Sequence, residues 1–199
     1  MTEKPFRIVF LDAATFGDVS LKNYSALGEC AFYETSTSEE VLARLRGAHA
    51  VVINKVVMDR SVLTASEAEE LKLVAIAATG TDHVDLAVAK ERGITVCNVP
   101  GYATEAVAQF TMALLLELVN NVGRYASLVR SGAWQKSRIF TLLDFPSFEL
   151  AGKKLGIIGY GSIGQAVARI AQGFGMEILI SVSPGVDGPV PAGRVPFNH

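Results

Sequence analysis

The chain has 199 residues, of which 50% are hydrophobic and 19% are charged. This composition supports a buried core and excludes a disordered chain, in which apolar content is low and net charge is high. The net charge of −2 excludes a broadly cationic surface, so nucleic acid is not expected as a partner.

Cysteine usage and hydropathy indicate the compartment. Cys30 and Cys97 cannot build a disulfide framework, and the N-terminus has no signal-peptide pattern, so a soluble cytoplasmic protein is expected. The longest apolar run, residues 110–119, contains Glu117 and is too short to cross a bilayer, so no membrane partner is expected. No metal site is predicted.

The first half of the chain alternates short apolar runs with amphipathic segments. Strands are predicted at residues 7–11, 30–33, 50–53, 73–78 and 94–97. Helices are predicted at 20–27, at 38–45 with Ser38 as the cap, at 66–71 and at 84–92. This alternation is typical of an α/β protein with a parallel sheet that is buried on both faces. Pro100–Gly101 predicts a domain boundary.

The second half begins with a helix at 104–121 that is apolar on nearly all sides, which indicates burial between layers, domains or subunits. A second helix at 122–131 ends at Gly132, and Trp134 lies in a stretch predicted to be irregular as far as Leu150. The strand–helix pattern then resumes with strands at 153–158 and 176–182 around a helix at 163–174.

The stretch Gly159-Tyr160-Gly161-Ser162-Ile163-Gly164 is a G-x-G-x-x-G motif between a predicted strand and a predicted helix. In this context Gly159 permits a tight turn, Gly161 lets a pyrophosphate approach the backbone, and Gly164 lets the helix pack closely on the strand. The helix N-terminus would present N–H groups to the phosphates. A nucleotide site is therefore favoured over a purely structural glycine turn.

One element of the dinucleotide fingerprint is absent. An Asp or Glu that binds the ribose 2′-hydroxyl is expected at the end of the next strand. This chain has Ser181-Val182-Ser183 there, and its first acid is Asp187. Because small side chains leave room for a 2′-phosphate that Arg194 could reach, the cofactor is NAD or NADP, with only a slight preference for NAD.

Several stretches together resemble the D-isomer-specific 2-hydroxyacid dehydrogenases. They are residues 78–86, Asn98-Val99-Pro100-Gly101, residues 104–108, Gly132-Ala133-Trp134 and residues 150–164. Their order and spacing match over essentially the whole chain. Asn54-Lys55 and residues 191–197 are most similar to bacterial glycerate dehydrogenases (hydroxypyruvate reductases).

The resemblance implies a flavodoxin-like substrate-binding domain at 1–100 and the first part of a Rossmann-like NAD(P)-binding domain at 101–199. The Thr79-Gly80 amides would hold the substrate carboxylate. Asn54 and Lys55 would add a donor or a positive charge, unless Lys55 is only a solvated turn residue. Thr104 and Val107 would face the nicotinamide, although helix packing explains Val107 equally well. The helix from Thr104 and the arm with Trp134 would form a homodimer interface, with an intrachain core as the alternative.

The implied activity is hydride transfer between NAD(P)H and a small 2-oxo or 2-hydroxy acid of the glycerate/hydroxypyruvate or glyoxylate type. The resemblance implies that the family's Arg, Glu and His would come downstream of residue 199, so these 199 residues are expected to be inactive alone. No catalytic role is assigned to His49, His83 or His199. Gln109 and His83 depart from the family's usual Glu and Asn. The alternatives are an NADH-responsive, corepressor-like protein without turnover and a methyltransferase.

Overall fold

The computed structural model describes residues 5–182 and 193–196. The chain divides into two compact units, Met1–Tyr102 and Ala103–His199. Each unit has its own sheet and its own buried apolar core.

A five-stranded parallel sheet forms the centre of the first unit, in the order β2-β1-β3-β4-β5. Its strands are β1 (Arg7–Phe10), β2 (Glu29–Phe32), β3 (Ala50–Ile53), β4 (Leu73–Ile76) and β5 (Thr95–Cys97). This is the order of flavodoxin-like sheets, in which the direction of strand addition reverses between β1 and β3. The predicted α/β class with a parallel sheet is confirmed.

Helices cover one face of this sheet and bury the larger of its two apolar layers. They are α1 (Ser38–Leu45), α2 (Arg60–Leu63) and α3 (Leu86–Glu91). The central strand β3 is buried at all four positions, and Val51 pairs with Val9 on one side and Val74 on the other. The uninterrupted apolar sequence of β3 follows from this position, because a strand covered on both faces has no solvent side.

The other face of the sheet is covered near β1 by two 3₁₀ segments, Ala13–Phe16 and Lys22–Ala26. The Phe10 ring lies 5.1 Å from the Tyr24 ring in an edge-to-face arrangement. The prediction of a helix at 20–27 is therefore wrong in type. The polar segment forms i→i+3 bonds, such as Leu27 N–H to the Tyr24 carbonyl at 2.9 Å, which are typical of short connectors.

Two further predictions in this unit need correction, and one short helix was not predicted. The helix predicted at 66–71 is only the 3₁₀ turn Ser66–Ala68, and the one-turn helix α2 was missed. The cap of α1 is Thr37 rather than Ser38, because the Glu40 carboxylate accepts the Thr37 N–H at 2.9 Å in a capping box. Boundaries shift in this way when the capping residue is one position outside the apolar pattern.

The second unit contains the two-stranded parallel sheet β6-β7 and the helices α4 to α7. Their bounds are α4 (Thr104–Asn120), α5 (Val122–Arg130), α6 (Ala133–Lys136), β6 (Lys154–Ile158), α7 (Ser162–Gly173) and β7 (Glu177–Ser181). Helix α7 packs on α4 and on the sheet through small residues, among them Ala166 and Ala171, which are fully buried. Trp134 lies in α6, so the prediction that its stretch is irregular holds only beyond Lys136.

Only one face of α4 is buried within this chain. Ala108, Met112 and Val119 are buried against α7, whereas Phe110 and Leu118 are 65% and 76% exposed. In the described part of the chain, no single helix has the length and hydropathy needed to cross a membrane. Only α4 and α5 taken together, bent by 60°, reach that length and composition.

Candidate functional site

The loop after β4, which contains Thr79 and Gly80, is tied to the segment after β5. The Thr79 hydroxyl donates to the Val99 carbonyl at 3.0 Å, and the Asn98 side-chain amide donates to the Thr79 carbonyl at 2.7 Å. The backbone bond from Val99 N–H to the Ala78 carbonyl, 3.0 Å, closes the same junction. The loop is therefore held by its own carbonyl and hydroxyl groups rather than by its amides.

The amides of this loop remain available to a ligand. Within residues 5–182 and 193–196, the N–H groups of Thr79 and Gly80 donate no hydrogen bond, and both residues are exposed. A Cβ at Gly80 would lie 2.9 Å from the Asp82 Oδ1, so a larger residue would displace that side chain. Two adjacent free N–H groups at the carboxyl end of a parallel strand can bind a carboxylate.

The loop after β3, with Asn54 and Lys55, is organised differently. Asp12 follows β1, is only 5% exposed, and accepts the N–H groups of Asn54 at 2.9 Å, Lys55 at 2.6 Å and Val56 at 3.3 Å. The N–H groups of residues 54–56 are therefore already bonded, so this loop offers a ligand its side chains rather than these amides. Sequence reasoning missed Asp12, because its role depends on β1 lying next to β3.

A cavity of about 640 Å³ lies beside these residues at the carboxyl ends of β1, β2 and β3. It is the point where the strand order reverses, a common ligand position in open α/β sheets. Asp12, Lys55, Thr15, Ser36 and Asp59 are among its lining residues. The Ser61 hydroxyl and the Val62 N–H hold the pKa of Asp59 below its usual value, which matches its position as the cap of α2. A second cavity of about 300 Å³ includes Asn98 and Val99 in its lining.

The glycine motif of the second unit has the geometry expected from its sequence. Gly159 has φ +88°, a left-handed conformation that favours glycine. A Cβ at Gly164 would collide with the Gly159 carbonyl oxygen and lie 3.3 Å from the Ile157 Cγ2, so the predicted close packing of helix on strand is confirmed. Gly161, in contrast, has open space around the position of a Cβ.

The N-terminus of α7 suits an anion. Gly161, Ser162 and Ile163 are exposed, and within the described residues their N–H groups donate no hydrogen bond. The first turn of α7 contains no acidic residue. The helix dipole and these N–H groups together favour a phosphate. Tyr160 is half-buried, and its carbonyl accepts the Gln165 side-chain amide at 3.2 Å.

The end of β7 holds the residues predicted to lie near the ribose. Ser181 is 8% exposed, and its hydroxyl donates to the Val182 carbonyl at 2.9 Å. Val182 N–H donates to the Val195 carbonyl at 3.0 Å, which brings the segment with the exposed Arg194 beside β7. Ser183 and Asp187 lie outside the described residues.

Thr104 and Val107 occupy the first turn of α4, beside α7. Val107 is 40% exposed, whereas Ala108 is fully buried. Glu105 forms an exposed ion pair with Arg169 of α7 at 2.9 Å. The Val107 side chain is therefore partly exposed at this turn, and its contact with the nicotinamide stays a prediction.

Of the described histidines, His49 lies outside these loops and His83 lies in the loop between β4 and α3. His49 Nδ1 accepts the Arg7 N–H at 3.1 Å, and Nε2 lies 3.6 Å from a Glu70 carboxylate oxygen. This pair lies at the amino ends of β3 and β4, opposite the edge that carries Asn54 and Thr79, so it serves the fold. His83 has a buried Nε2 without a partner among the described residues, and nothing in the structure explains it.

Comparison with known proteins identifies what the chain resembles. A family model described as "D-isomer specific 2-hydroxyacid dehydrogenase, catalytic domain" matches residues 8–188. A hydroxypyruvate reductase of Blautia hydrogenotrophica is 42% identical over 178 residues, or 87% of this chain. A glycerate dehydrogenase of Methylorubrum extorquens is 42% identical over 180 residues, or 90% of this chain.

A solved structure shares the fold. The D-lactate dehydrogenase of Aquifex aeolicus, complexed with NAD and lactic acid, superimposes with a TM-score of 0.71 at 27% identity, over 91% of this chain and 52% of that one. The chain spans 55% of the length of each of the two curated relatives named above.

Proposed function

The chain belongs to the D-isomer-specific 2-hydroxyacid dehydrogenase family, and from that premise we propose that its whole protein transfers a hydride between NAD(P)H and a small 2-oxo acid. The substrate class is of the glycerate/hydroxypyruvate or glyoxylate type, in line with the names of its relatives. These names give the corepressor-like alternative no support. The observation that carries the proposal is the pair of loops with unbonded amides, Thr79–Gly80 and Gly161–Ile163.

Residues 1–100 are proposed as the substrate domain. The free N–H groups of Thr79 and Gly80 bind the carboxylate, and the Asn54 and Lys55 side chains contact the rest of the acid. Lys55 is exposed and cationic, so its attraction to an anionic substrate is modest and sensitive to salt.

Residues 101–199 are proposed as the dinucleotide domain. The space around Gly161, the unbonded amides of Ser162 and Ile163 and the acid-free first turn of α7 fit a pyrophosphate. Gly159, Tyr160 and Gly164 shape the turn that presents these groups. When bound, the nicotinamide supplies the hydride, and the chain contributes orientation and charge placement. Thr104 and Val107 border the nicotinamide side.

The ribose end is proposed to lie at Ser181, Val182 and Ser183. Because Ser181 is buried and bonded within the strand, it supports this end, while Val182 and Ser183 contact the ribose. Arg194, held beside β7 through Val195, gives a 2′-phosphate a cation. The site therefore accepts NAD or NADP.

No described residue is assigned as the catalytic acid: His49 is engaged at the opposite edge of the first sheet, and the Nε2 of His83 is buried without a hydrogen-bond partner among the described residues. The family's Arg and its Glu–His pair, expected downstream, would polarise the carbonyl and deliver the proton.

A homodimer through α4 and the Trp134 arm is also proposed, since Phe110, Leu118 and Phe140 are largely exposed.

Steady-state oxidation of NADH and NADPH with hydroxypyruvate or glyoxylate tests the proposal. We expect turnover from the whole protein and negligible turnover from the verified 199-residue chain. A whole protein inactive with every pairing would overturn the proposed function. Turnover by the 199-residue chain would overturn the assignment of the catalytic groups to the downstream part.

A further inference from the structure

Asp12 is a buried carboxylate whose bonds all converge on one candidate substrate loop. It lies directly after β1, and its Oδ2 accepts the N–H groups of Asn54, Lys55 and Val56 at 2.9, 2.6 and 3.3 Å. Its Oδ1 also lies 3.0 Å from the Asn54 nitrogen. The side chain is 5% exposed, so these bonds form largely shielded from water.

Such an arrangement is stronger than ordinary loop bonding. A hydrogen bond from an N–H group to an ionised carboxylate is about twice as strong as one between neutral groups. A carboxylate that is buried without partners would be very costly, so the three amides and Asp12 stabilise one another. One side chain, that of Asp12, consequently fixes the position of the backbone at residues 54–56.

The two candidate substrate loops therefore offer a ligand different groups. Thr79 and Gly80 keep their amides free within the described residues, whereas Asn54 and Lys55 have theirs bonded to Asp12. The second loop has no free amide at residues 54 and 55 and offers a ligand its side chains, whose position depends on the hydrogen bonds to Asp12. Lys55 also borders the cavity of about 640 Å³ at this end of the sheet.

We infer that Asp12 is a positioning residue for the substrate: by clamping the 54–56 backbone, it sets where the Asn54 and Lys55 side chains meet the 2-hydroxy acid. This inference rests on the proposed function, because it needs that loop to bind the acid. Asp12 itself does not contact the substrate, since its carboxylate is occupied by the amides.

The test compares Asp12→Asn with Glu40→Gln in the whole protein. The first replacement removes the charge and turns an NH₂ group toward the loop amides. Glu40→Gln likewise removes the charge of a carboxylate that accepts a backbone N–H, that of Thr37 at 2.9 Å. Glu40 does not line the cavity and glutamine keeps the capping box, so this variant is the matched control. The readouts are D-glycerate affinity, NADH affinity and amide hydrogen exchange at residues 54–56.

We expect Asp12→Asn to weaken D-glycerate binding about tenfold, in keeping with the loss of a charged hydrogen bond. Amide exchange should accelerate at 54–56, whereas NADH affinity should stay at its wild-type value. The Glu40→Gln variant should match the wild type in all three readouts. Wild-type D-glycerate affinity in Asp12→Asn would overturn the inference alone. Equal losses of D-glycerate and NADH binding would also overturn it, because a general folding defect affects both. A wild-type whole protein that binds no D-glycerate and oxidises neither NADH nor NADPH with hydroxypyruvate or glyoxylate would overturn the proposed function as well.

Discussion

Gly164 and Gly161 of the motif have different roles, and the space around each glycine distinguishes these roles. A Cβ at Gly164 meets backbone, the Gly159 carbonyl, which cannot rotate away as a side chain can. A Cβ at Gly161 meets nothing, and the residue has φ −80°, which any amino acid adopts. Gly164 is therefore required by the fold, and Gly161 is required only if a ligand approaches.

Gly164→Ala should destabilise the chain by about 1–3 kcal/mol, the usual cost of overpacking, because α7 must move away from β6. Urea unfolding gives the free energy. Gly173→Ala is the control in the same helix, since a Cβ there meets nothing within 4 Å. It should stabilise by about 0.4–1 kcal/mol through the unfolded state. Equal effects of the two substitutions would contradict the packing argument.

The sequence predicts the role of a residue where that role depends on the local backbone conformation. It does not predict a role that depends on the order of the strands in the sheet. The turn at Gly159 and the close approach at Gly164 follow from six consecutive residues and the strand–helix context. Asp12 and Asn54 are 42 residues apart, and nothing local shows that β1 and β3 are neighbours. A buried acid that ends an apolar strand is the only signal the sequence offers.

Among the elements, α4 shows how an apolar helix can have two distinct faces. Ala108, Met112 and Val119 are buried against α7, and Phe110, Leu114 and Leu118, spaced four residues apart, form an exposed stripe. A stripe at this spacing lies along one side of the helix. One face thus packs within the unit, and the other is the one proposed to meet a second copy.

Leu118→Lys should weaken the proposed dimer by about tenfold or more, because a two-fold interface loses the buried leucine twice. Light scattering coupled to size exclusion measures the mass against concentration. Leu27→Lys is the control: Leu27 is 65% exposed and belongs to the first unit, not to the stripe on α4. A monomeric wild-type chain, or a dimer that Leu118→Lys leaves unchanged, would contradict the proposed interface.

The sequence predicts the type of element correctly for long periodic segments, whereas the prediction fails for short polar segments. The apolar strands and the helices α4, α5 and α7 follow from continuous apolar runs or helical spacing. Residues 22–26 and 66–68 are single turns, in which i→i+3 bonds replace the helical ladder. A segment of about one turn carries too few positions for periodicity to distinguish the two.

At the scale of the whole molecule, two units with separate cores each offer one loop of unbonded amides. The units divide at Tyr102–Ala103, next to the Pro100–Gly101 pair of the sequence. A helix-breaking pair between two strand–helix patterns is a local signal, which is why the sequence indicates it. The roles of the two units rest on the chemistry of their loops, and ligand binding tests them directly.

The most direct measurement is an amide ¹H–¹⁵N NMR titration of the 199-residue chain with NADH and with D-glycerate. We expect NADH to shift the resonances of Gly161, Ser162 and Ile163, and D-glycerate to shift those of Thr79 and Gly80. Gly161→Ala should remain folded and keep the D-glycerate response but lose the NADH response. NADH shifts that avoid the 159–164 turn, or that persist in Gly161→Ala, would contradict the proposed pyrophosphate site.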